Sequence, residues 1–171
     1  MLTTQPEPWL RGTHSEIPAV ARAVIHALEL AAEDLQTWCG HLSDQELHAT
    51  PANLPPIAFQ IRHIARSVDR LLTYAEDAPL NSQQLAALAT ESEPDASRND
   101  LFEELRTSLH QSMNRICKLG EDQAALEKPR TVGRKNLPTT VAGLLIHVAD
   151  HTQRHVGQAI TTAKFLRAQR P

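Results

Sequence analysis

Four long segments in which apolar residues recur every three or four positions constrain this chain more than any other feature. That period belongs to the α-helix, whose faces repeat every 3.6 residues, and not to the alternation of a strand. The first segment spans 15–42, with Val20, Val24, Ala27, Leu28, Ala31, Leu35 and Trp38 on one stripe. Pro18 lies where a first-turn proline is tolerated, which offers a start for the regular helix there, and Gly40 offers a stop. The second spans 57–76, with Ile57, Ile61, Ile64, Val68, Leu71 and Leu72 as its stripe and Pro79 beyond its end. The third, 99–119, opens on an acidic turn (Asp100, Glu103, Glu104) that suits the positive end of a helix dipole, and Gly120 closes it. The fourth, 140–168, takes Thr139 or Thr140 as its N-cap. Ser43 and Glu46 have capping-box spacing and imply one short turn, and Pro51, Pro55 and Pro56 force an extended link. Residues 81–89 suit a brief helix within a longer connection near 78–97. No hairpin signal or internal repeat emerges. The reading is an all-α single domain over 1–171, a four-helix bundle without a sheet, with 1–14 as an N-terminal extension.

Composition narrows the function classes. At 171 residues, 41% hydrophobic and 22% charged, the chain is an ordinary globular one, and a net charge of -3 argues against nucleic acid or a membrane surface as partner. No apolar run approaches the roughly 18 residues of a spanning helix. Residues 1–9 lack a basic region followed by an apolar one, so no secretory signal is read. Cys39 and Cys117 have no CxxC spacing and read as reduced thiols, which by elimination points to the cytoplasm.

Nine histidines stand beside only one Tyr, two Trp and three Phe. Three of them, His147, His151 and His155, repeat at i, i+4 and i+8 on the fourth helix and climb one face of it. Two imidazoles four residues apart can reach one metal ion, although such a pair is as often an exposed face. On a helical wheel Val141, Leu145, Val148, Ala159, Ala163 and Leu166 form the inner stripe. His155 lies nearest that stripe, His151 at its edge and His147 furthest round, so His151 and His155 are the inner pair. A protein-held metal needs a ligand from another helix, and the second helix offers His63. His63 shares a polar seam with Gln60, Ser67, Arg70 and Tyr74 that either faces water or lines a wet cavity, and periodicity leaves both open. His14, His26, His41, His48 and His110 have no comparable grouping and read as surface or structural histidines.

Two motifs in order, Gln60-Ile-Arg-His63-Ile and His147-x3-His151-x3-His155-x-Gly157-Gln158, resemble the DinB-like superfamily, which includes the YfiT-type proteins. The stretch Leu42-Ser-Asp-Gln-Glu-Leu47 followed by prolines is similar too. The resemblance covers nearly the whole chain. It implies an up-down-down-up four-helix bundle, often a homodimer, with a metal triad of His63, His151 and His155 that leaves coordination positions open. Zinc or nickel is the implied ion. Transferases using bacillithiol or mycothiol and a thiol-dependent isomerase belong to that superfamily. The implied function is therefore a metal-dependent thiol S-transferase-like activity on a small molecule.

The residues also limit the chemistry. A metal on three neutral imidazoles keeps its full charge and can acidify a thiol or water. Arg70 shares the His63 seam and is the candidate contact for the carboxylates of a thiol cofactor. The spacing His151-Thr-Gln-Arg-His155 lacks the glutamate of a HExxH protease. A metal-dependent hydrolase with its base elsewhere, or a non-catalytic metal-binding, stress-associated bundle, remains the alternative.

Overall fold

A computed structural model describes residues 5–169, so the ends of the expected 1–171 domain, including the first four residues of the extension, lie outside the described residues. The four periodic segments form α1 (Ala19–Cys39), α3 (Ile57–Ala75), α5 (Arg98–Gly120) and α6 (Val141–Ala168). Two short helices join them, α2 (Asp44–His48) and α4 (Ser82–Ala89). The capping signals act as read: Ser43 and Glu46 form a reciprocal capping box at α2, and the Thr140 hydroxyl accepts from Gly143 N–H at α6. Asn81 with Gln84, and Ser97 with Asp100, form two further capping boxes. The first helix starts at the later of the two places the sequence offered, with Pro18 as its extended N-cap and Ala19 as its first residue. Gly12 and His14, in the turn that precedes it, have positive φ (69° and 59°).

Cross-helix contacts fix the directions. Residues 27 and 38 of α1 meet 153 and 164 of α6, so those helices run parallel. Residues 60 and 63 of α3 meet 155 and 151 of α6, an antiparallel pair. Residues 66 and 69 of α3 meet 104 and 115 of α5, which is parallel. Gly120, at the end of α5, lies against Ala21, near the start of α1. The order is up-down-down-up. Two successive parallel helices require a long crossover, and residues 76–97 supply it. Three arginines on α3 hold that crossover down. Arg62 donates to Glu93 O and Asp95 Oδ1, Arg66 to Ala87 O, and Arg70 to Glu91.

The core runs along the bundle axis, with Leu28, Leu35, Ile57, Ile61, Ile64, Leu72, Leu101, Ile116 and Leu145 fully buried. The expected absence of a sheet needs correction. Residues Pro129–Val132 (β1) and Leu137–Thr140 (β2) pair antiparallel around a turn in which Gly133 and Asn136 have positive φ. Both strands are edges, where proline is tolerated; β1 alternates only between exposed and half-buried positions, and β2 does not alternate. That leaves no periodic signal to read. Cys39 is buried, and burial pushes its thiol up to about 12, so it is inert at neutral pH. Trp9 and Leu10 are 62% and 58% exposed, so they do not cover their own core. No helix among the described residues is long and apolar enough to cross a membrane.

Candidate metal centre

The antiparallel packing of α3 on α6 brings His63 against His151 and His155. Ring centroids are 5.1 Å apart for His63–His151, 4.4 Å for His63–His155 and 4.5 Å for His151–His155. One ring nitrogen from each lies within 4.8 Å of the other two. His63 Nε2 and His151 Nε2 are 3.4 Å apart. That is long for a hydrogen bond, and it is the edge of a tetrahedron whose metal–nitrogen bonds are about 2.0–2.1 Å. All three side chains are half-buried, so the cluster keeps an open side.

Other groups fix the tautomers that aim these nitrogens inward. His63 Nδ1–H donates to Glu91 Oε2 at 2.8 Å, which leaves the Nε2 lone pair free. His155 Nδ1–H donates to the Gln60 amide oxygen at 2.6 Å, with the same effect. This is the carboxylate–histidine or amide–histidine arrangement that orients metal-binding imidazoles. Phe59 stacks on His63 at 5.4 Å and limits its tilt. Within this cluster two buried nitrogens, His151 Nδ1 and Gln60 Nε2, have no hydrogen-bond partner among the described residues.

The electrostatics favour the neutral form of two of the rings, His151 and His155. Burial, then the neighbouring His155, His63, His147 and Arg154, push the His151 pKa down to about 4. His155 is lowered by burial, His63 and Arg154, against an opposing hydrogen bond to Gln158 and the charge of Glu91. Burial pushes the Glu91 carboxyl up, but hydrogen bonds from His63 and Arg70 outweigh it and hold the group below the ordinary carboxylate range. Neutral imidazoles backed by an ionised carboxylate are the protonation state a cation needs.

His147 stands apart, as the wheel implied. Its side chain is 44% exposed, and its Nδ1 pairs with Asp150 at 2.9 Å. The polar seam on α3 resolves as an interior one: Gln60, Ser67 and Arg70 are buried. Arg70 sits with its guanidinium on Glu91, so any contact with a bound anion comes from a group already engaged behind His63. It also borders a cavity of about 770 Å³ between α3, α4 and α5, whose other lining includes Arg66, Arg115 and Glu104 but none of the three histidines.

Sequence reading missed Glu91, which arrives from the crossover 28 positions beyond His63. The available signal was complementary charge: Arg62, Arg66 and Arg70 on one stripe of α3, and an acidic run, Glu91 to Asp95, in the loop that must cross it. The reading that His14 and His26 have no grouping also needs correction. His14, His26 and Glu29 place a ligand atom each within 4.8 Å of one another. A wheel compares residues of one helix only, and His14 lies in the turn before α1.

Residues 27–159 match the family model of the DinB superfamily. The fold is similar to a crystal structure described as the conserved protein of a locus from Enterococcus faecalis. The TM-score is 0.62 at 19% identity, over 88% of this chain and 98% of that one. No curated protein matches the chain.

Proposed function

Since the chain belongs to the DinB superfamily and converges three imidazoles at one half-buried point, we propose that it is a divalent-metal-dependent enzyme. Its proposed activity is thiol S-transferase-like, acting on a small molecule with a low-molecular-weight thiol. The observation that carries this reading is the trio of His63, His151 and His155 with its 3.4 Å nitrogen–nitrogen edge. Three imidazole donors suit zinc or nickel rather than magnesium or calcium, which take oxygen ligands. A divalent ion held there would supply a Lewis acid that lowers the pKa of a thiol or water in a remaining position.

The chain's own residues do the rest. Glu91 and Gln60 hold His63 and His155 in the Nδ1–H tautomer, so both present lone pairs to the same point. Arg70 keeps Glu91 ionised and in place. In this reading Arg70 also serves a carboxylate of the thiol across the cavity it borders. A hydrolase has less support here. Glu91 has both oxygens engaged, and Asp150 is tied to His147 and Arg154, so neither is poised to take a proton from water. We also propose a cytoplasmic homodimer with Trp9 and Leu10 at its contact, which light scattering at micromolar concentration tests.

The test combines metal analysis with a thiol-dependence assay. His63→Ala, His151→Ala and His155→Ala should each lose one equivalent of zinc or nickel, and His147→Ala should keep it with affinity reduced about 10-fold or less. Turnover of an electrophile should require both the metal and an added thiol, and Arg70→Met, assayed at saturating metal because it also loosens Glu91, should raise KM for the thiol more than it lowers kcat. Metal-dependent turnover without thiol would establish the hydrolase instead. Metal binding with neither activity would mark a binding protein.

A further inference from the structure

We propose that His14, His26 and Glu29 form a second divalent-metal site, of the zinc class, that pins the N-terminal segment to α1. It is separate from the trio on α3 and α6 and does not depend on the reading of that trio. The three side chains come from two separately folded segments. His26 and Glu29 stand one turn apart on α1, and His14 projects from the turn that precedes the helix. Their ligand atoms all lie within 4.8 Å of one another, and the imidazole rings of His14 and His26 are 5.6 Å apart.

Two imidazole nitrogens and one carboxylate oxygen are a donor set that binds zinc with a fourth position open. The nitrogen donors select against calcium and magnesium. His26 is buried, and its Nε2 lies 3.2 Å from the Thr13 hydroxyl, so this ligand is held in one orientation. The neighbouring charges favour a cation at Glu29. Glu33, one turn further along, takes both terminal guanidinium nitrogens of Arg11, while the partner of Glu29 is the His14 ring that would share the ion with it.

His14 Nε2 and Glu29 Oε1 are 2.8 Å apart, with one hydrogen between them. An ion takes the place of that hydrogen. A neutral ring shifts to its Nδ1–H tautomer, and a charged ring releases one proton to solvent. A half-exposed His–Glu pair alone returns little, while His14 holds a left-handed backbone (φ 59°) that a non-glycine residue adopts at a cost. Three converging donors with a shared ion give that conformation a reason. The consequence is control over residues 5–18, which carry the exposed Trp9 and Leu10. With the ion bound, this segment is locked on the bundle. Without it, the segment is held by Arg11–Glu33 and the His14–Glu29 pair.

The experiment uses untagged full-length protein carrying His63→Ala and His151→Ala, so that the first trio is removed. Zinc content after equilibrium dialysis is measured by elemental analysis. The rate of tryptic release of residues 1–11 is followed by mass, with cleavage after Arg134 in the hairpin turn as the internal reference. One zinc per chain is expected, and cleavage after Arg11 should slow about tenfold when free zinc stands ten times above Kd. Adding His14→Ala, or Glu29→Gln where loss of the ring perturbs the turn, should abolish both effects while far-UV circular dichroism stays unchanged. No zinc in the double variant with its helical signal intact overturns the proposal. So does zinc retained after His14→Ala, or cleavage after Arg11 that zinc does not slow.

Discussion

Replacing Glu91 by Gln isolates what the crossover contributes to the histidine trio. The carboxylate accepts from His63 Nδ1 with one oxygen and from Arg70 with the other, and the two partners of that ion pair are 7% and 11% exposed. Glutamine keeps the shape but has one accepting oxygen, so one of the two donors faces an amide NH2. If the lost acceptor is the one on His63, the ring is free to turn or to move its proton to Nε2, which blocks coordination. The expected loss of zinc affinity is about 10- to 100-fold, the size of an orienting-partner effect. The metal-free protein should lose about 1–3 kcal/mol for one unsatisfied buried group, less than the roughly 3–5 kcal/mol of leaving the guanidinium fully unpaired as in Glu91→Ala. Affinity is read by competition with a chromophoric chelator in a His14→Ala background, so that the trio alone is titrated. Stability is read by urea unfolding in excess chelator. Asp95→Asn is the control, since Asp95 pairs with Arg62 and touches no histidine. A Glu91→Gln affinity within twofold of the parent, with stability reduced, would refute the orienting role and leave Glu91 as a structural partner of Arg70.

Other perturbations test the packing and the electrostatics. At Gly120 an added Cβ would meet the Ala21 Cβ at 2.5 Å, so Gly120→Ala should destabilise by about 1–3 kcal/mol in chemical denaturation as α5 and α1 are forced apart. At Gly157, within α6, a Cβ meets nothing within 4 Å, so Gly157→Ala should stabilise by about 0.5–1 kcal/mol and raise Tm. On acidification two groups lower stability in successive windows. The His151 pKa is depressed to about 4 in the fold, so the unfolded chain binds the extra proton first. That contribution is complete above about pH 6.5 and fades as pH falls toward 4. Glu91 is also depressed, and its contribution, present above the ordinary carboxylate value, is lost as pH falls through its lower folded value. Proton NMR of the His151 ring should show a midpoint near 4, and a midpoint near 6.5 would contradict the burial argument.

What the sequence disclosed follows from what periodicity encodes. A 3.6-residue repeat states which face of a helix is inward, so the four long helices, the burial of Val141, Leu145 and Val148, and the outward place of His147 were all legible. Boundaries were legible where a side chain makes the boundary, as at Ser43 and Thr140 and at the ring of Pro18. Periodicity does not state which two inward faces meet. His63 and its seam therefore stayed ambiguous until α3 packed against α6 in the antiparallel sense that sets residue 60 opposite 155 and 63 opposite 151. A residue outside the helices has no face to read at all. Glu91 and His14 both sit in connections, yet each closes a cluster begun by a helix: Glu91 behind His63, His14 beside His26 and Glu29. In both cases the connection is placed by arginine, with Arg62, Arg66 and Arg70 fastening the crossover and Arg11 fastening the N-terminal turn to Glu33. An arginine donates two or more hydrogen bonds in a fixed plane, so it sets the orientation of a loop as well as its distance. The physical signal for such sites is an arginine facing a loop of opposite charge, and it is read by pairing charges across elements rather than along one.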